Sequence, residues 1–168
     1  MMGRMRRASF TPTIRPRRRG DDPLLLALGA EAFARWSHHP AATIARMLGA
    51  KDARVTVAES EDAPIAFAVV DVRPLGRAYG PWPSPSIAHL DAICVKPDAR
   101  GTGVGTVLLS AAEDDAREHG AVVLRLMTAT ENVRARQLFN TAGFQPLYTA
   151  GHAYANGDAA IEMFKLLG

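Results

Sequence analysis

"CVKPDARGTGVGTVLL", Cys94 to Leu109, places Gly101, Gly103 and Gly105 between an apolar run and a helix-like run. A strand, a glycine-rich turn and a helix start make an anion site. Unpaired amides point outward at the helix N-terminus, and the helix dipole adds partial positive charge. Glycines let an oxygen reach those amides without meeting a β-carbon. Three phosphate-binding patterns compete. The triphosphatase loop needs Gly-Lys-Ser/Thr, and no lysine lies between Lys96 and Lys165. The dinucleotide fingerprint needs a third glycine where Thr106 or Leu108 stands. The pattern Arg/Gln-x-x-Gly-x-Gly/Ala is met by Arg100, Gly103 and Gly105.

The flanks are read from periodicity. "IAHLDAICV" (Ile87–Val95) is a strand, and the loop leads into a helix to about His119, closed by Gly120. That helix is expected to turn Val104, Val107, Leu108, Ala111 and Ala112 inward, and Glu113, Asp114, Arg117 and Glu118 outward. "AVVLRLMT" (Ala121–Thr128) reads as a strand buried on both faces, and Asn132 caps the helix bearing Ala135, Leu138, Phe139 and Ala142.

Upstream, Thr11 to Arg15 is a short strand. Asp21-Asp22-Pro23 starts a helix, and "AATIARML" forms a second helix after His38-His39-Pro40. "RVTVAE" and "IAFAVVDV" form a hairpin. Arg73–Ser86 is too rich in proline and glycine to be regular. Asn156-Gly157-Asp158 signals a closing hairpin between "FQPLYTAGHAY" and "AAIEMFKLL". The order predicts an α/β (α+β) fold, a mixed and mostly antiparallel central sheet flanked by helices.

"LDAICVKPDARGTGVGTVLLSAAEDDAREHG" with "NVRARQLFNTAGF" resembles the Gcn5-related N-acetyltransferase (GNAT) superfamily, clearly from Ile87 to Tyr148 and more weakly at "TIRPRRRGDDPLLLALGAEAF". The resemblance implies a splayed parallel strand pair, acetyl-coenzyme A as donor, and transfer to a primary amine of a small molecule, protein or peptide. The pyrophosphate would rest on the amides of Gly101, Thr102, Gly103, Val104, Gly105 and Thr106, with Arg100 in reach. The pantetheine arm would run along Ile93, Cys94 and Val95 like an added strand. Asn132 and Phe139 would contact the cofactor. The family often has a tyrosine near the thiol at the Phe139 position, so another acid is expected, Tyr148 or Tyr154. For the base, Asp91 and His89 are expected on one strand face with Ile93, unless a bulge intervenes; Glu59 is a third option. Trp36, the first two helices, Arg73–Ser86 and the final hairpin would shape the acceptor channel. The rival readings are a catalytically weak acyl-coenzyme A-binding or regulatory module, and an accessory protein of RNA or ribosomes.

Composition bounds the rest. The chain has 168 residues, 48% apolar and 22% charged, which fits one globular domain. No apolar run approaches the ~20 residues of a membrane span. A lone cysteine, Cys94, allows no intrachain disulfide and suits a reducing, cytoplasmic interior. No histidine or cysteine spacing suggests a metal site, and the resemblance leaves a homodimer open. Seven arginines (4, 6, 7, 15, 17, 18 and 19) precede the first acid, Asp21. They read as a solvated arm, with residues 1–12 disordered and 13–168 the single acetyltransferase domain. An anion-seeking arm that docks on nucleic acid, or a targeting peptide, is the alternative.

Overall fold

The computed structural model describes residues 11–168. Its strands are β1 (Thr13–Pro16), β2 (Ala53–Ser60), β3 (Ala63–Pro74), β4 (Ser86–Val95), β5 (Ala121–Ala129), β6 (Gln145–Ala150) and β7 (Ala160–Leu166). Its helices are α1 (Asp22–Phe33), α2 (Pro40–Gly49), α3 (Val104–Glu118) and α4 (Val133–Thr141). The strands form one sheet in the order β1-β2-β3-β4-β5-β7-β6. Every neighbouring pair is antiparallel except β4 and β5.

Two apolar layers flank the sheet. On one side Ala66, Ala68, Val70, Ala88 and Leu90 meet Val104, Leu108, Ala112 and Ala116 of α3 and Phe139 of α4. On the other, Val57, Phe67, Val69, Ala92 and Cys94 meet Leu25, Ile44 and Leu48 of α1 and α2. Proline stands in the first turn of both α1 and α2, where its missing N–H costs no helix bond. The two helices approach closely at Gly29, where a β-carbon would stand 2.7 Å from the Ile44 side chain.

The parallel pair parts midway. β4 and β5 pair from Ser86↔Ala121 to Leu90↔Leu126 and no further. From Asp91 to Val95, β4 keeps only β3 beside it among the described residues. The register of β3 and β4 also slips: Val69 faces Ala92 while Val70 faces Leu90, so Asp91 is the extra residue of a bulge. The bulge reverses the alternation of β4. Ala88 and Leu90 share their layer with Ile93 and Val95, whereas Ala92 and Cys94 fall in the opposite one. His89 and Ile93 therefore lie on opposite faces, not on one.

Other expectations are corrected. Val107 is 46% exposed and the inward face of α3 adds Leu109 and Glu113. Glu113, expected outside, is buried because Lys165 of β7 reaches it at 2.7 Å. β5 is not buried on both faces: Met127 is 42% exposed, because α1 and α2 cover the middle of the sheet and stop short of it. The last two strands are joined by the nine residues 151–159 rather than a tight turn at Asn156-Gly157. Arg15 and Arg17 do not belong to a solvated arm. Arg15 bonds Asp21 and Glu59, both at 2.7 Å, and Arg17 bonds Asp22 and the Leu48 carbonyl. Arg4, Arg6 and Arg7 lie outside the described residues.

Candidate active site

The parting of β4 from β5 opens a cleft of about 1130 Å³. Its floor is the free edge of β4 from His89 to Val95, and its far wall is Leu126–Ala129 of β5 with the start of α4. One end closes on the glycine turn, the other on Phe33, Arg35 and Trp36 at the end of α1 and on Ala153 and Tyr154 of the β6–β7 loop.

The turn follows from its residues. Pro97–Ala99 makes one 3-10 turn, and the Thr102 hydroxyl donates to the Ala99 carbonyl at 2.5 Å. That hydroxyl is committed, which leaves the Thr102 amide for an anion. Gly103 is the N-cap of α3 at φ +86°, and Gly101 has φ +76°. A β-carbon on Gly103 would meet no atom within 4 Å, so the glycine is required by the backbone angle and by whatever comes to the open space. No amide from Gly101 to Thr106 finds a backbone acceptor among the described residues. A row of amides at the start of a fifteen-residue helix suits a pyrophosphate. Gly105 packs differently: its β-carbon would touch Leu138 of α4 at 3.6 Å. Arg100 donates to the Val95 carbonyl at 3.3 Å and lines the same end.

Ile93, Cys94, Val95, Val104, Asn132 and Phe139 all line the cleft. Asn132 accepts from the Ala135 amide at 3.2 Å as the cap of α4, so its side-chain N–H groups stay available. Cys94 is 1% exposed, and burial pushes its thiol up to about 12, which rules out a ready thiolate nucleophile. Phe139 is buried against Phe144, ring centres 5.7 Å apart.

His89 and Asp91 come together, imidazole Nδ1 to carboxylate Oδ1 at 2.9 Å, and both line the cleft. Glu59 does not join them, because Arg15 holds it at the far side of the sheet. Nor does Tyr148. It stands on β6, the sheet edge beyond β7, is 53% exposed, and lies opposite Glu162 of β7, whose carboxylate pushes its pKa up. The phenol at the cleft is Tyr154, packed edge-on against Trp36 at 5.8 Å, with its pKa raised by burial. It belongs to the long β6–β7 loop, whose path is invisible to periodicity; the apolar-aromatic composition of "HAY" was its only signal. Trp36 is drawn in from the α1 end, with Arg35 stacked over it at 4.6 Å and reaching Asp158 at 3.7 Å. The loop Arg73–Ser86 contributes no lining residue, since it joins β4 at the end away from the gap. His38 and His39 also lie off the cleft. Among the described residues no cluster of three or more His, Cys, Asp or Glu could hold a metal, and no helix is long and apolar enough to cross a membrane.

Fold and site together define a class: an α/β protein whose mixed sheet parts beside a helix start rich in free amides. A model of the Acetyltransferase (GNAT) family matches residues 23–144, and the chain belongs to that family. Mycothiol acetyltransferase from Beutenbergia cavernae is 31% identical over 126 residues, covering 73% of this chain and 40% of its own length. The chain spans about two fifths of the length of the curated relatives it matches. Among solved structures, the ribosomal-protein-alanine N-acetyltransferase from Brucella melitensis has a TM-score of 0.73 at 23% identity, covering 92% of this chain and 99% of that one. NAA60 from Arabidopsis thaliana, solved with acetyl-CoA, has a TM-score of 0.79 at 13% identity, covering 94% and 99%. At those identities the likeness speaks to the fold alone.

Proposed function

We propose that the protein is an acetyl-coenzyme A-dependent N-acetyltransferase in which a primary amine attacks the thioester directly. One observation carries the reading. The free edge of β4 leads straight into a turn whose amides, from Gly101 to Thr106, find no backbone acceptor among the described residues. A ligand with an amide-bearing arm and a pyrophosphate would satisfy both at once. Arg100 and Arg134 line that end of the cleft and would add charge.

The chemistry follows from the groups along the gap. An amine must be neutral to attack, the oxyanion must be stabilised, and the thiolate must leave. If His89 donates its Nδ1–H to Asp91, its Nε2 lone pair is left to accept the amine's proton. A backbone amide freed near Ile93–Val95 would meet the carbonyl oxygen as charge develops. Tyr154 keeps its proton through the neutral range and would donate a hydrogen bond to the departing sulfur. Phe139 then serves as an apolar wall beside the thiol.

Trp36, Arg35, Ala153 and Tyr154 would frame the acceptor. The relatives' names span mycothiol and a ribosomal-protein alanine, so the acceptor is stated as an amine of a small molecule, protein or peptide. The test is a panel of polyamines, aminoglycosides, amino acids and peptides assayed for coenzyme A release. At least one amine should give release that depends on His89 and Asp91; no release from any member would sink the reading.

A further inference from the structure

Asp71 lies on β3, beside the strand that carries His89 and Asp91. One of its carboxylate oxygens forms an ion pair with Arg73 at 2.6 Å. The other, Oδ1, is buried without a hydrogen-bond partner, the one such side-chain atom among the described residues. A buried carboxylate oxygen left unmet is costly, and its retention calls for a role.

Register supplies one. Asp71 pairs with His89 across β3 and β4. Opposed residues on antiparallel strands share a face, with Cβ atoms about 5 Å apart. Asp91 approaches the same imidazole from β4 at 2.9 Å. His89 thus has one carboxylate in contact on its own strand, Asp91, and a second, Asp71, opposite it in register on β3. The other charged groups facing it are few. Arg73 of β3 lies close to Asp71 and also feels Asp52 and Asp91. Arg125 of β5 is the parallel register partner of His89, and Glu162 of β7 binds it. Arg35, at the end of α1, is engaged with Asp158.

We propose that Asp71 is a positioning residue for His89, a second carboxylate that stabilises the imidazolium formed when His89 takes the acceptor's proton. The inference rests on the reading of His89 as the base. The step balances without a further reactant. The amine lone pair forms the C–N bond to the acetyl carbon, the C–S bond breaks with its electron pair on sulfur, and the nitrogen's proton passes to imidazole Nε2. Asp71 exchanges no proton in this step. Its unmatched oxygen is costly in the resting protein and becomes favourable once positive charge appears beside it.

The test needs no acceptor. In the full chain with isotope-labelled histidine, the His89 ring is assigned by its loss in His89→Gln and titrated by NMR. Asp71→Asn removes a negative neighbour, so the midpoint of ring protonation should fall by about one pH unit. Arg73→Ala removes the positive neighbour that offsets Asp71, so the midpoint should rise. Opposite movements support the proposal. An unmoved midpoint in Asp71→Asn, or movement of both variants in one direction, overturns it. Arg73→Ala keeps the test alive if Asp71→Asn folds poorly, since a midpoint that fails to rise there also overturns it. Failure of the base reading looks different: the midpoints move as expected, yet His89→Gln retains full coenzyme A release in the amine panel.

Discussion

The leaving-group problem is decided by single side chains. Phe139 has no hydroxyl, so any acid must come from elsewhere. Sequence order offered Tyr148 and Tyr154 alike. Strand order separates them, because β6 pairs only with β7 and stands at the sheet edge, while the loop after it folds back over the gap. Tyr154→Phe should lower kcat about 100-fold, the lower end for loss of a positioned proton donor. Tyr148→Phe should stay within about twofold of wild type, as befits an exposed phenol off the cleft. Steady-state coenzyme A release at saturating acetyl-coenzyme A reads both, and equal losses would return Tyr148 to the site. The glycine turn was legible residue by residue, because positive φ and close approach leave their mark in composition. The facing of His89 was not. It depends on a bulge at Asp91 that exists only in the pairing of β4 with β3.

Elements are held by pairs that sequence proximity conceals. Arg15 of β1 joins Asp21, before α1, to Glu59 of β2 and so ties three elements together. Asp21 is 6% exposed, and the Arg15 guanidinium beside it lowers its carboxyl to about 2. A carboxyl depressed on folding stabilises the native state above its unfolded value and loses that contribution as pH falls through the folded one. From the ordinary 3.8 down to about 2, the contribution is about 2 kcal/mol. Urea unfolding of Asp21→Asn at pH 7 should show a loss near that size. The gap from wild type should close as pH falls from about 4 toward 2. A gap of constant size would mean that Arg15 does not act through this carboxylate. Helix starts and strand periodicity made these elements readable. Their partners were not, since Arg15 reads as part of a basic tail until β1 brings it against β2, and Glu113 reads as solvent-facing until Lys165 arrives from the far end of the chain.

At the scale of the molecule, one feature organises the rest. A sheet otherwise paired throughout gives up hydrogen bonds between β4 and β5 beyond Leu90↔Leu126. Backbone groups left without a strand are normally a liability, and here they run toward helix-start amides that also lack a backbone acceptor among the described residues. The parted pair was expected from the resemblance of Ile87–Tyr148, not from periodicity, because β4 and β5 each read as ordinary apolar strands. In the proposed function coenzyme A occupies this line, with its pyrophosphate on the turn. Titration calorimetry of coenzyme A into the wild-type chain and into Gly103→Val tests this most directly. The prediction is one site per chain in the wild type, weakened at least tenfold by valine, which strains the positive φ and fills the open space a phosphate oxygen would enter. No binding to the wild type, or equal affinity in a folded Gly103→Val, would contradict it.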